Sequence, residues 1–250
     1  MQLIGERIWI FDGEAVPFFN MPYTTRMTII KLHDGRLWVH SPIRLTETLK
    51  AEVDSLGDIA YLIAPNHLHH LFIKDWQDAF PQAQAFGTQE VDKKRPDLHF
   101  DGLLTSVFCS SVGEIEIAYL LFTGSKVMQE SVFFHPLSHT LILTDLIENF
   151  SPSAITGWRQ RIARWAGVMA PNGQTPLDWR LTFYFNKAEA SRHMSTILSW
   201  EPKQIVLAHG EWIKEQAVEF MRHSFRWLKL EKHTELQQNK RANNENRCSG

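Results

Sequence analysis

Apolar positions along the chain fall into short runs with a period of two or none, separated by stretches with a period of about 3.6, the mark of strands and helices in succession. Met27 to Leu32, Asp34-Gly35 and Leu37 to His40 read as two strands about a tight turn, because Asp-Gly supplies the positive φ angles of a two-residue hairpin. Thr46 then caps a helix with apolar Leu49, Val53 and Leu56, which Gly57 ends. Ile59 to Ala64 is a continuous apolar run suited to a strand covered on both faces. Behind it, Phe72, Trp76, Ala79 and Phe80 keep helical spacing until Pro81.

The second half repeats the theme. Glu114 to Phe122 alternates as a strand, and Ser131 to Phe134 with Thr140 to Leu143 form a second pair of apolar runs around His135-Pro136-Leu137-Ser138-His139. Ile155, Trp158, Ile162 and Trp165 make an amphipathic stripe opposite Arg159, Arg161 and Arg164, which reads as a core-facing stripe with a solvated basic face. A helix over Lys187 to Leu198 leads to a strand, Gln204 to Ala208. His209-Gly210 follows, then a long helix with Ile213, Ala217, Phe220, Met221, Phe225 and Leu228 on its inner face. Strand pairs followed by strand-helix units, in each half, predict an α+β chain: two mixed sheets packed face to face with helices on the outer faces. Residues 1–230 read as one domain without a linker, and 231–250 as a polar tail without periodicity, expected to be disordered.

Composition narrows the class. Hydrophobic residues make up 44% of the 250, which excludes a disordered chain. Lys plus Arg number 26 against 28 Asp plus Glu, so no surplus of positive charge or basic run draws in nucleic acid, and none is expected as a partner. No apolar run approaches the roughly 20 residues that span a bilayer, and no membrane partner is expected. Cys109 and Cys248 are too few for a disulfide framework, and Glu6 and Arg7 interrupt any leader-like start. A cytoplasmic protein is the expectation, with Cys109 an inert thiol.

Three loops that leave strand ends carry the candidate chemistry. They are Asn66-His67-Leu68-His69-His70 after Ala64, Thr144-Asp145 after Leu143, and His209-Gly210 after Ala208. Imidazole nitrogens and a carboxylate are ligands for zinc or iron, and several converging with an open position would make a hydrolytic or redox centre. Plainer readings stand beside this one: Asp145 as a helix N-cap, His209-Gly210 as a strand exit with a turn glycine, and His67 and His70 as surface or helix-start residues. The helix start also matters. If Asn66 is an N-cap, His67 and His69 lie about 200° apart around the helix and cannot share a metal, whereas an extended loop lets them chelate together. His135 and His139 read as exposed turn residues, and His33 and His40 have no partner in sequence.

The order His-x-His after a strand, then Leu-Ile-Leu-Thr-Asp-Leu, then Val-Leu-Ala-His-Gly resembles the metallo-β-lactamase superfamily over nearly all of residues 1 to 230. More narrowly, Leu37 to Pro42, Ile63 to Phe72 and Phe133 to Phe150 look like an uncharacterised branch of it, a family of unknown function. The resemblance implies an αββα sandwich, in agreement with the pattern reading. It carries His67 and His69 onto the opening of the HxHxDH motif, but Leu71 and Phe72 stand where its Asp and last His belong. Ser125 replaces a third His, while Asp145 matches the bridging Asp and His209 the final His. What carries over is His67, His69, Asp145 and His209, enough for one Zn or Fe ion, with Asn66, His70 and Ser125 as further pocket candidates.

The expected function is therefore a hydrolase with a reduced, mononuclear metal site, acting on an ester, thioester or lactone-type small molecule. Asp145 would be the anionic ligand or, without metal, a base for water. The alternative is a non-catalytic sandwich that has lost its metals and serves as a binding or scaffold domain.

Overall fold

A computed structural model describes residues 1–18, 21–105 and 116–228. Cys109, Cys248, the start of the 114–122 strand and the 231–250 tail lie outside the described residues.

Seven strands form the first sheet in chain order: β1 (Gln2–Gly5), β2 (Ile8–Phe18), β3 (Met21–Lys31), β4 (Leu37–His40), β5 (Ile59–Ala64), β6 (Gln84–Gly87) and β7 (Gly102–Leu103). The strands are antiparallel up to β4 and parallel from β4 onward. The second sheet holds β8 (Ala118–Phe122), β9 (Glu130–His135), β10 (Thr140–Leu143) and β11 (Gln204–Leu207), ordered β11-β10-β9-β8, with β10 and β11 parallel.

The period of two in the strands explains the layering. Ile30, Trp38 and Ile63 of the first sheet point inward and pack with Phe133 and Ile142 of the second. Their neighbours Ile29, Val39 and Leu62 point outward, beneath α1 (Glu47–Asp54), α2 (Ile73–Ala79) and α3 (Gln89–Lys94). On the far side, Val132, Phe134, Leu141 and Leu143 pack under α5 (Leu177–Thr182), α6 (Lys187–Ser199) and α7 (Ala217–Ser224). The result is helices, sheet, sheet, helices, the α+β sandwich the pattern predicts.

Local chemistry sets several boundaries. Thr46 Oγ1 accepts the Leu49 N–H at 3.1 Å and starts α1. Trp76 is fully buried in α2 and donates its indole N–H to the Ile43 carbonyl at 2.7 Å, which satisfies the one polar atom of the ring. The first hairpin forms, but Lys31 pairs with Leu37, which leaves five residues in its loop. Within that loop only Gly35 has positive φ, and Asp34 instead accepts the Arg36 N–H. The final helix begins at Ala217 and not near Ile213, because Ile213 bridges back to Ile205 of β11.

The 155–165 stripe is the main departure. Ile155 is buried, but α4 (Trp158–Ala166) turns Trp158, Ile162 and Trp165 to solvent, at 66, 52 and 77% exposure. Only Ala163 of that helix is buried. Arg159, Arg161 and Arg164 are exposed as well, so α4 meets the body along a narrow line and most of its circumference is solvated, which amphipathic spacing alone does not show.

Candidate metal centre

The parallel strands deliver the site. β4 and β5 of one sheet and β10 and β11 of the other end at the same edge of the sandwich, and the loops after them carry Ser41, His69, Asp145 and His209. The carboxyl ends of parallel strands are where open sheets place their ligands.

Residues 66–72 form a turn before α2 begins at Ile73. Asn66 is the pivot: its Oδ1 accepts the N–H groups of Leu68 and His69 at 2.8 and 3.1 Å, capping this turn and not the helix. Its Nδ2 donates to Thr144 Oγ1 at 2.9 Å and Asp145 Oδ2 at 2.6 Å, tying the first sheet's loop to the second's. The turn aims His69 inward and sends its neighbours elsewhere. His67 faces Glu90 (3.1 Å) and so does not join His69 as a ligand. His70 is buried and also lines the cavity, with Nδ1 at 2.9 Å from Arg95 Nη1. Burial, then the charges of Lys94 and Arg95, lower its pKa to about 4. Ser125 stands apart from the site; its Oγ accepts the Val127 and Met128 N–H groups and the Thr182 hydroxyl.

His69, Asp145 and His209 converge. The two Nε2 atoms are 3.2 Å apart, His69 Nε2 is 3.3 Å from Asp145 Oδ2, and His209 Nε2 is 3.0 Å from Asp145 Oδ1. Two ligands bonded at about 2.0–2.1 Å to one centre with tetrahedral angles stand about 3.3 Å apart, so this spacing fits a single small cation. The outer ring nitrogens reinforce the fit. His209 Nδ1 lies 2.6 Å from the Thr24 carbonyl, an acceptor only, so Nδ1 carries the proton and a neutral ring offers its Nε2 lone pair to the centre. His69 Nδ1 lies 2.6 Å from Ser41 Oγ, which can accept in the same way. Two lone pairs 3.2 Å apart repel unless a cation or a proton sits between them.

The charges are arranged around Asp145. Burial works against its ionised form, but His69 and His209 outweigh this and hold its pKa below the usual carboxylate range. For His209 burial favours the neutral ring, yet Asp145 and Glu148 more than offset it and raise the pKa. Glu130, fully buried at the start of β9, accepts the backbone N–H groups of Thr144, Asp145 and Leu146 at 2.8 to 2.9 Å. Burial first, then the Asp145 charge, push its pKa up to about 7. Glu148 lies behind His209 in contact with Tyr23, and burial pushes it up to about 8.

No helix follows Asp145; residues 148–150 enter isolated bridges instead, so it is not a helix N-cap. His135 is buried, not exposed, with Nδ1 at 2.7 Å from Ser138 Oγ. His40 is buried against Trp38 and Phe133.

Four supporting residues escape the sequence reading: Ser41, Glu130, Thr24 and Arg26. Arg26, only 8% exposed, crosses from β3 and donates Nη1 to the Leu207 and Gly210 carbonyls at 2.6 and 3.0 Å, on either side of His209. A serine or a glutamate at a strand end is too common a signal to single out. The arginine in mid-strand, just before the apolar run Met27 to Leu32, is the one readable clue.

A cavity of about 380 Å³ opens over the three groups. Val16, Pro17, Leu68, Leu71 and Phe72 supply its apolar walls, and Thr25, Ser41, His70 and Lys94 join the three groups as its polar lining.

A model for a domain of unknown function, DUF4336, matches residues 5–91. No curated protein matches the sequence. Solved structures match over about nine tenths of this chain. The metallo-β-lactamase DIM-1 superposes with a TM-score of 0.61 at 12% identity, over 91% of this chain and 95% of its own. The metallo-β-lactamase FIM-1 from Pseudomonas aeruginosa, in a mono-zinc form, gives 0.58 at 9% identity over 91% and 93%. The metal-soaked Flv1 flavodiiron core from Synechocystis gives 0.57 at 14% identity, over 90% of this chain and 60% of its own. The chain has the metallo-β-lactamase fold.

Proposed function

We propose that this metallo-β-lactamase-fold chain is a hydrolase with one metal ion, Zn or Fe, held by His69, Asp145 and His209. The observation that carries the reading is the convergence of three ligand atoms, from three loops far apart in sequence, within 4.8 Å of one another. The mono-zinc form of FIM-1 and the metal-soaked Flv1 core support a metal on this fold, and the two-imidazole, one-carboxylate donor set suits either ion. When bound, such an ion would lower the pKa of water and polarise a carbonyl.

The chain's own residues do the rest. The Thr24 carbonyl fixes the tautomer of His209, and the Ser41 hydroxyl, by accepting from His69 Nδ1, would leave the His69 Nε2 free to bind as well. Asn66 and the backbone amides held by Glu130 lock the Asp145 loop. The apolar walls exclude water and favour an acyl or ring portion without charge, which makes an ester, thioester or lactone the substrate class. The tests are elemental analysis and a hydrolysis panel. Protein prepared without chelator should carry close to one Zn or Fe per chain and cleave at least one class of these carbonyl compounds, and His209→Ala should lose both. Metal-free wild-type protein, unchanged in stability by added Zn, would overturn the reading and leave the fold as a binding or scaffold domain.

A further inference from the structure

The most anomalous surface lies away from the three ligands and is independent of the proposed chemistry. α4 rests on the body through Ala163, against Phe150, Ile155, Val168 and Met169, and presents Trp158, Ile162 and Trp165 outward at successive turns of one face. Large apolar side chains 52 to 77% exposed in a row are not the single scattered hydrophobics of an ordinary surface. α5 is tied to the end of α4. Its Arg180 donates Nη2 to the Ala166 carbonyl at 3.1 Å at the end of α4, and beyond it Tyr184 and Phe185 stand 66 and 89% exposed.

Charge decides what would cover this face. α4 carries Arg159, Arg161 and Arg164, all exposed; Arg159 and Arg161 lie roughly 60–100° around the helix from Trp158 and so flank the apolar row, and no carboxylate occurs anywhere between 151 and 177. None of the three arginines is held in an ion pair among the described residues. A second copy docking through the same face would bring one arginine set against the other. Phosphate-bearing lipid headgroups complement the arginines, and tryptophan rings settle at the boundary between headgroups and acyl chains.

We propose that α4 is a peripheral docking element for an anionic lipid surface, with Trp158, Ile162 and Trp165 entering the interface and the arginines engaging headgroups. The expectation of no membrane partner rested on the lack of a spanning segment, which such docking does not need. Tyr23 gives the arrangement a consequence: it packs against the cluster beneath α4, lines the cavity and meets the His209 ring edge-on at 5.0 Å. α4 and the cavity thus share one supporting side chain.

Flotation of the full chain with vesicles of phosphatidylcholine, with and without phosphatidylglycerol, tests the proposal. Wild-type protein should float with the anionic vesicles at low salt, remain below with the neutral ones, and be released as salt rises. Trp158→Ser with Trp165→Ser should weaken partition about tenfold or more, since interfacial binding scales with the apolar area inserted. Neutralising the arginines with Arg159→Gln, Arg161→Gln and Arg164→Gln should weaken it about fivefold each, on the order of a hundredfold together. These side chains are at the surface, and far-ultraviolet circular dichroism confirms that the variants fold. Failure of the wild type to float with anionic vesicles overturns the proposal, as does flotation that neither set of changes reduces. A dimer in sedimentation velocity that the tryptophan changes dissociate also overturns it and assigns the face to a second copy.

Discussion

Arg26→Met isolates the clamp that holds the His209 loop. Methionine keeps most of the buried aliphatic stem and removes every donor. What is lost is the pair of hydrogen bonds to the carbonyls of Leu207 and Gly210, at 2.6 and 3.0 Å. The Nε bond to Asp12 at 2.7 Å goes as well. A bond from a charged donor is worth about 1.5–3 kcal/mol, and the abandoned carbonyls keep their desolvation cost. The Asp12 carboxylate is 65% exposed, and such a pair adds only about 0–1 kcal/mol. The expected loss is therefore about 4 kcal/mol. For a chain of this size that lowers Tm by roughly 8–16 °C, read by scanning calorimetry and, at fixed temperature, by urea unfolding. Asp12→Asn is the control and should cost less than about 1 kcal/mol. An Arg26→Met loss below about 1 kcal/mol, or an Asp12→Asn loss that equals it, would refute the reasoning, because the carbonyl contacts between the sheets would then contribute nothing.

Three further outcomes follow from the same geometry. Ser41→Ala removes the group facing His69 Nδ1 and should weaken Zn binding about tenfold to hundredfold with little change in Tm, as measured by chelator competition; unchanged affinity would count against a positioning role. Gly210→Ala puts a Cβ onto the Asn149 carbonyl at a residue with φ +86°, so it should cost at least about 3 kcal/mol in urea unfolding, and a loss below 1 kcal/mol would contradict the packing described. Burial, then the charge of His69, lowers the pKa of His40 to about 3, so the unfolded chain takes up a proton near 6.5 that the folded chain refuses. The stability tied to His40 is thus complete above pH 6.5 and drains away as pH falls toward 3, by about 2 kcal/mol between pH 7 and 5. His40→Gln should flatten that part of the curve, leaving the slope from His70 and His135, each lowered to about 4.

Much of the fold was legible because its signals are local. The Thr46 cap, the apolar run of β5 and the strand pairs around Gly35 and Pro136 each depend on residues a few positions apart. The site was legible only in outline. That His69 rather than His67 turns inward follows from two hydrogen bonds to Asn66 Oδ1, a choice that spacing cannot show. Glu130 and Arg26 become meaningful only when β9 lies beside β10 and β3 reaches β11, since their partners are 14 to 16 and 181 to 184 positions away. The α4 stripe failed for a related reason: the body beneath it had room for Ala163 alone, and tertiary packing, not periodicity, fixes that room.

The clamp between Arg26 and the carbonyls beyond β11 also sets a timetable for synthesis. As the chain leaves the ribosome, the first sheet is complete at Leu103, while the strand whose carbonyls receive its arginine begins only at Gln204. Asp145 and His209 arrive with the late-made sheet, so the three groups that face the cavity come together only once the last strand has docked.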